Sequence, residues 1–195
     1  MAFNHWIGAA LLAGAPAAAL AVATVPGVFS AELPGTTAAA EPVLAGGVIS
    51  DTSVPFATPA GYALRTTGTV QVRVVRGADG KLAYYWKINN AAGSRDYVRS
   101  VAIEGFPRHV YDANYRTDGL GTVAPRTVRG WIGSDGYYWL GFTWQTPIRA
   151  GESSRFFFLR SPATESAAAG TGRPGGMTLY FGNTTVRIPI PRPAG

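Results

Sequence analysis

The stretch Thr69–Asn89, TVQVRVVRGADGKLAYYWKIN, decides the fold class of this chain. At its start Val70, Val72 and Val74 alternate with polar residues, so every second side chain is apolar. A two-residue period of this kind is typical of a β-strand that buries one face. Because the turn sequence Gly77–Gly80 separates this segment from a second strand-like run, we predict an antiparallel hairpin.

Two more segment pairs repeat this pattern further along the chain. Thr127–Ile132 and Tyr137–Thr146 flank the turn Gly133–Gly136, which has the same Asp-Gly chemistry as the first. Met177–Phe181 and Thr184–Ile190 flank Gly182 and Asn183. Further strands are predicted at Val43–Ile49, Val98–Phe106, His109–Tyr115 and Ser154–Arg160, and the proline-containing stretch Thr52–Ala63 is expected to be irregular or an edge strand.

The spacing of these strands indicates the fold class. Short strands recur every 8 to 12 residues with turn residues between them, and no helical stripe follows the first thirty residues. Ser154–Arg160 contains three consecutive phenylalanines and is apolar on both faces, so we expect it to be covered on both sides. The sequence therefore predicts an all-β protein, an antiparallel β-sandwich.

The N-terminus has the character of an export signal. The run from Ile7 to Phe29 carries no charge and is rich in alanine. Cleavage is expected after Ala23 or after Ser30, and the second site is preferred. Residues 1–30 are thus interpreted as a signal peptide, with an uncleaved membrane anchor as the alternative. Residues 31–42 are interpreted as a flexible tether, and residues 43–195 as a single β-sandwich domain.

Composition limits the classes of function. The chain contains no cysteine, which excludes disulfides and thiolate chemistry. Its net charge of +6 is carried mainly by scattered arginines, which form no run of the kind that marks a nucleic-acid site. We expect a secreted, periplasmic or cell-surface protein whose partner is a polysaccharide or a cell-envelope component, with no specific nucleic acid. A membrane is expected as a partner only through an uncleaved N-terminus, and the oligomeric state stays open.

Catalytic side chains are few. His109 is the only histidine downstream of the expected signal, and no nucleophile motif surrounds the nearby serines. Local turn chemistry does not explain Glu104 or Asp112, although each is free to pair with an arginine on a neighbouring strand. We expect no enzyme, no cofactor and no metal site. A small secreted hydrolase centred on His109, with Glu104 or Asp112, is kept as an alternative.

Aromatic residues are the candidate binding residues. The triplets Tyr84–Trp86 and Tyr137–Trp139 lie on hairpin strands, and the middle residue of each points away from its two neighbours. If the middle residues face outward, exposed rings lie on a flat sheet and can stack against sugars. The candidate ligand-binding residues are Tyr85, Trp131, Tyr138 and Trp144. The alternative is a core built from large aromatic residues.

One family resemblance rests on the order of several short motifs. They are Tyr84–Asn90 (YYWKINN), Gly93-Ser94, the strand that ends at Gly105-Phe106, Trp144–Pro147, and Ala150–Ser153 before the Phe-rich strand. Over residues 69–161 this order resembles exported bacterial immunoglobulin-like domains. The resemblance implies an immunoglobulin-like sandwich in a secreted or cell-surface setting and carries over no catalytic or binding residue. We therefore expect a non-enzymatic, surface-associated binding or structural module, with a carbohydrate-binding module as the first alternative.

Overall fold

The computed structural model describes residues 20–27, 29–167 and 175–194. These residues form one short 3-10 helix, Pro42–Leu44, and fourteen β-strands. The strands are β1 (Val22–Thr24), β2 (Phe29–Glu32), β3 (Gly46–Ala57), β4 (Thr67–Gly77), β5 (Leu82–Asn90), β6 (Val98–Phe106), β7 (Tyr111–Tyr115), β8 (Thr127–Ile132), β9 (Tyr138–Ile148), β10 (Phe157–Arg160), β11 (Ser166–Ala167), β12 (Gly175–Tyr180), β13 (Thr185–Ile190) and β14 (Arg192–Pro193).

Two six-stranded antiparallel sheets form a sandwich-like arrangement, which confirms the predicted all-β class. The first sheet has the strand order β1-β7-β10-β5-β4-β3, and the second has the order β13-β12-β6-β9-β8-β2. The short strands β11 and β14 pair separately. The chain moves from the first sheet to the second between Asn90, at the end of β5, and Val98, at the start of β6.

The three predicted hairpins are confirmed. Strands β4 and β5 pair with Val74 opposite Tyr84, so the alternating valines share the register of the aromatic strand. Strands β8 and β9 pair with Trp131 opposite Trp139. Strands β12 and β13 form the third hairpin. At the first turn Gly80 has a φ of 80°, in the left-handed region that favours glycine, which explains the Asp-Gly sequence.

Aromatic rings fill the space between the sheets. Phe157 of β10 lies 4.8 Å from the Phe142 ring and 5.7 Å from the Trp86 ring, measured between ring centroids. Phe106 reaches from β6 to Tyr111 at 5.6 Å. These side chains are almost completely buried. The Phe157–Phe142 and Phe106–Tyr111 contacts cross from one sheet to the other, and apolar burial holds the sandwich together in the absence of disulfides.

The first sheet is covered on its outer face as well. A second apolar cluster there contains Leu44, Val75, Ala83, Tyr85, Phe156 and Phe158, with Ala21 and Val43 packed against it. Because Phe157 and Leu159 face the main core while Phe158 faces this cluster, β10 is covered on both sides, as its apolar sequence predicts.

The N-terminal segment takes part in both sheets. Strand β1 pairs with β7, and β2 pairs with β8, so each forms an edge strand. The interpretation of residues 7–19 as part of a signal lies outside the described residues. Cleavage after Ser30 would divide β2, and cleavage after Ala23 would leave only Thr24 of β1.

Residues 31–42 also contact the sandwich instead of extending away from it. Leu33 is buried, and the Leu33 N–H donates to the Arg126 carbonyl at 2.8 Å. Thr36 bridges to Arg116. The segment is held by backbone contacts with loops as well as with strands, and contacts of this kind do not need alternating apolar residues. Its sequence therefore shows no strand period.

The strand predicted at Val43–Ile49 begins later and extends further than expected. Pro42–Leu44 forms the 3-10 helix, and β3 runs from Gly46 through Pro55 to Ala57 along the edge of the first sheet. An edge position tolerates Pro55 because one side of the strand needs no partner. Within the described part of the chain, no helix has the length and apolar character needed to cross a membrane.

Candidate functional site

Three of the four aromatic residues predicted to bind ligand are buried. Tyr85 is 4% exposed, Tyr138 is 0% exposed and Trp144 is 7% exposed, so they do not form an outward row. Tyr138 and Trp144 face the main core from β9. The fourth residue, Trp131, is partly exposed on the outer face of the second sheet.

Each buried ring has a specific contact. Trp144 packs edge-on against Phe157 at 5.4 Å and donates its indole N–H to the Val123 carbonyl at 3.3 Å. The Tyr138 hydroxyl donates to the Val25 carbonyl at 2.8 Å. Burial raises the pKa of Tyr138. Tyr85 packs against Phe158 on the outer face of the first sheet, at 5.0 Å between ring centroids.

Trp131 is part of an aromatic surface that was only partly predicted. Its ring lies 5.8 Å from that of Trp139, with 29° between the ring planes, so the two indoles stack side by side. With Tyr180 of β12 they border a shallow groove of about 410 Å³. We call this the aromatic groove; Ile132, Gly133, Ser134 and Asp135 line the rest of it.

Small residues beneath the indoles set their positions. A Cβ atom added at Gly141 would lie 3.1 Å from the Trp131 ring, so this ring rests directly on the sheet surface. A Cβ atom at Gly133 would lie 2.9 Å from Cδ1 of Trp139 and 2.5 Å from an Asp135 carboxylate oxygen. The glycines therefore let the indoles lie close to the backbone and bring a carboxylate to the edge of the ring pair.

Charged and polar groups surround the groove. The Asp135 carboxylate accepts a hydrogen bond from the Tyr137 N–H at 3.0 Å, which holds the turn. On the neighbouring strands Glu104 accepts hydrogen bonds from the Thr178 hydroxyl at 2.7 Å and forms an ion pair with Arg187 at 3.0 Å. Burial, together with the nearby Glu104 carboxylate, raises the pKa of Tyr180. The groove thus combines ring faces with hydroxyl and carboxylate groups.

Trp139 and Tyr180 were missed as candidates, although the sequence contains a signal for both. Tyr138, Leu140, Phe142 and Trp144 have the same parity and all face the core, so Trp139 has to face outward. In β12 Met177 and Leu179 face the core and Tyr180 faces out. The full strand period, read over four residues instead of one triplet, identifies the outward ring.

The residues considered for hydrolysis are not assembled into a catalytic group. Asp112 pairs at 3.0 Å with Arg160 of the neighbouring strand β10, as the alternative interpretation of these carboxylates expected. Glu104 also pairs with an arginine, Arg187, but that residue lies on β13, which is separated from β6 by β12. His109 makes a ring contact with Tyr111 at 6.2 Å. No hydrogen bond or ion pair joins His109 to a serine or carboxylate among the described residues.

Metal-ligand side chains are likewise dispersed within the described ranges. No three His, Asp or Glu side chains come together there in a way that could hold a metal ion.

Comparison with known proteins found no matching family model, no matching curated protein and no matching solved structure.

Proposed function

We propose that the protein is an exported, non-enzymatic β-sandwich module of the immunoglobulin-like kind that binds a polysaccharide through the aromatic groove. The observation that carries the proposal is the stacked pair Trp131 and Trp139 on an outer sheet face, in a groove that Tyr180 also lines. Export and a cell-surface setting belong to the same proposal and rest on the uncharged N-terminal run.

The groove has the chemistry that a sugar chain needs. A sugar ring has an apolar C–H face, which packs on the face of an aromatic side chain, and hydroxyls at its edge, which need polar partners. Trp131 and Trp139 supply the faces, and Asp135, Ser134 and the Tyr180 hydroxyl supply donors and acceptors. The groove is shallow and open, which suits a long polymer better than a small enclosed ligand.

Charge around the groove has both signs. Asp135 lines the groove, whereas Arg129 lies two residues before Trp131 on the same outer face and is exposed. The whole chain has a net charge of +6, which attracts anionic surfaces at low ionic strength. Neutral and anionic polysaccharides are therefore both tested.

The immunoglobulin-like part of the proposal is supported by how the quoted motifs are used. Strand β5 ends at Asn90, where the chain crosses to the second sheet, and the Asn90 amide donates to the Asp96 carbonyl at 3.0 Å and the Ile148 carbonyl at 3.1 Å. The Ala150–Ser153 turn leads into the Phe-rich segment that ends in β10. Both positions match the order of motifs on which the resemblance rests.

The test is retention of the purified protein on insoluble crystalline cellulose, chitin and pectate gel, followed by elution with salt. We expect retention on at least one polymer, and we expect Trp131→Ala and Tyr180→Ala each to lower the affinity by about tenfold. Tyr180 is exposed at the end of its strand, so its loss should leave the fold intact.

The matched control is Leu120→Ala, because Leu120 is an exposed apolar residue that lines a cleft on the first sheet, whereas the aromatic groove lies on the second sheet. It should leave retention unchanged. Equal retention of the Trp131 variant, or equal loss in the Leu120 variant, would show adsorption through general hydrophobicity and would refute binding through the aromatic groove.

A further inference from the structure

A second cleft lies on the outer face of the first sheet, away from the aromatic groove. It has a volume of about 470 Å³, within the range of small-molecule sites. Its walls include Leu44, Val48, Val75, Leu120 and Phe156. We call it the first-sheet cleft. Its floor is the second apolar cluster, so its interior is a built part of the fold.

The mouth of the cleft is unusually apolar. Leu120 is 70% exposed and Val48 is 54% exposed, and the two residues come from segments remote in sequence. Single exposed aliphatic residues are common, but here both border one concave site. A ligand with an apolar body would cover them and remove their surface from water.

The polar side chains that line the cleft are all hydrogen-bond donors. They are Tyr85, Arg73 and Arg116, and no carboxylate is among the lining residues. Arg73 donates Nε and Nη2 to Asp51, and Arg116 donates Nε and Nη2 to Asp118. The ion pairs orient both guanidinium groups. Arg73 Nη1 donates no hydrogen bond to another described residue, and Arg116 also reaches the Tyr85 oxygen.

The Tyr85 hydroxyl is the most informative atom of the site. Tyr85 is 4% exposed, and among the described residues no acceptor for its hydroxyl hydrogen lies in hydrogen-bond geometry. The hydroxyl oxygen lies within reach of the Arg116 side chain, whose charge and hydrogen bond oppose the rise in the pKa of Tyr85 that burial causes, while the charges of Glu41 and Asp118 add to that rise. A buried O–H without an acceptor costs free energy, and a ligand acceptor in the cleft would recover it.

Aromatic surface next to these donors favours the same kind of ligand. The Arg73 guanidinium lies 5.1 Å from the centre of the Phe156 ring, and the Lys87 ammonium lies 5.5 Å from it. Phe156 therefore presents an apolar wall directly beside two cations. An apolar molecule that ends in an anionic acceptor matches both features at once.

We propose that the first-sheet cleft binds a small apolar carboxylate, an aliphatic or aromatic acid, with its apolar body against Leu44, Val75 and Phe156. Its carboxylate accepts hydrogen bonds from the Tyr85 hydroxyl and the Arg116 guanidinium. This site is independent of the aromatic groove and of polysaccharide binding.

Titration calorimetry of the full chain with sodium octanoate tests the proposal, with 1-octanol as the neutral probe of the same length. We expect saturable binding of octanoate, about tenfold tighter than 1-octanol, because hydrogen bonds to a charged acceptor are the stronger kind. Tyr85→Phe removes the hydroxyl without changing the shape of the ring. It should weaken octanoate by about tenfold and change 1-octanol far less.

Two further variants locate the site. Ala45 is exposed and lines the cleft, so Ala45→Trp should fill it and abolish octanoate binding without disturbing the core. Trp131→Ala lies in the aromatic groove and should leave octanoate binding unchanged. The proposal is overturned if octanoate does not bind saturably or if the two probes bind with equal affinity. It is also overturned if the Ala45 variant binds octanoate as well as the wild type does, or if the Trp131 variant loses octanoate binding.

Discussion

Asn90 is the residue whose replacement best tests how the two sheets are joined. It is 2% exposed, and its side-chain amide donates to the carbonyl of Asp96, two residues before β6, and to the carbonyl of Ile148, the last residue of β9. The side-chain oxygen of Asn90, Oδ1, has no hydrogen-bond partner among the described residues. One buried amide therefore links the last residue of β5 in the first sheet to the end of β9 and to the segment just before β6 in the second.

The magnitude follows from these contacts. Asn90→Ala removes two buried hydrogen bonds, and the two carbonyl oxygens lose this donor, which costs about 2 to 4 kcal/mol. With a urea dependence of about 2 kcal/mol per molar, the unfolding midpoint should fall by about 1 to 2 M. Unfolding can be followed by the fluorescence of Trp86, which is fully buried in the core.

Asn90→Asp adds a pH dependence with a definite sign. Both carboxylate oxygens would face a site without donors, so burial raises the pKa of the introduced carboxyl above its unfolded value. The protonated acid can still donate one hydrogen bond. The variant should therefore be least destabilised at low pH and should lose stability as the pH rises from about 4.

Asn89 provides the matched control. It is the same residue type on the opposite face of β5, half-buried, and its amide donates to the Thr69 hydroxyl at 3.1 Å. Asn89→Asp should cost less than about 1 kcal/mol. The argument fails if Asn90→Ala unfolds within about 0.3 M urea of the wild type, a shift worth under 1 kcal/mol, or if the two Asp variants have parallel pH profiles.

Two other predictions concern the N-terminus and acid stability. Deletion of residues 1–30 removes β1 and the first half of β2, including Phe29. The control is a chain that lacks only residues 1–19 and keeps every described strand, and the longer deletion should have a urea midpoint well below that of the control. Equal midpoints would mean that these edge strands contribute nothing to stability. The hydrogen bonds from Arg116 lower the pKa of Asp118 from its ordinary value of 3.8 to about 2, against the opposing effect of burial. The ion pair therefore stabilises the fold above about pH 4 and is lost as the pH falls toward 2, so Asp118→Asn should flatten the stability profile between these values, and an unchanged profile would contradict the pairing.

Most strands were predictable from the sequence because each depends on a local period. The valines of β4, the Asp-Gly turns and the run Phe156–Phe158 are signals within about ten residues. The edge strand β1 was not predictable, because its three residues lie in a uniformly apolar run without alternation. The packing of residues 31–42 depends on contacts with Arg116 and Arg126, which are remote in sequence.

Of the three aromatic residues that line the aromatic groove, Trp131 was predicted from the sequence, whereas Trp139 and Tyr180 were missed. Trp131 lies in the aromatic groove, as the hypothesis of exposed rings requires. Tyr85 was expected to face solvent because the alternate face of β5 was assumed to be open. In the structure, the 3-10 helix and Phe156 cover that face, and no local pattern in β5 contains this information.

The sequence alone determined that this protein is all-β, which segments pair as hairpins, and that its core is aromatic and free of disulfides. These properties follow from side-chain alternation and turn chemistry, which act between neighbours in the chain. Only the tertiary structure decided which rings face solvent, where Glu104 and Asp112 find their arginines, and that the first sheet carries a cleft on its outer face. Burial depends on what lies across a face, and the covering residues come from segments remote in sequence, as Glu41 and Leu44 do above Tyr85.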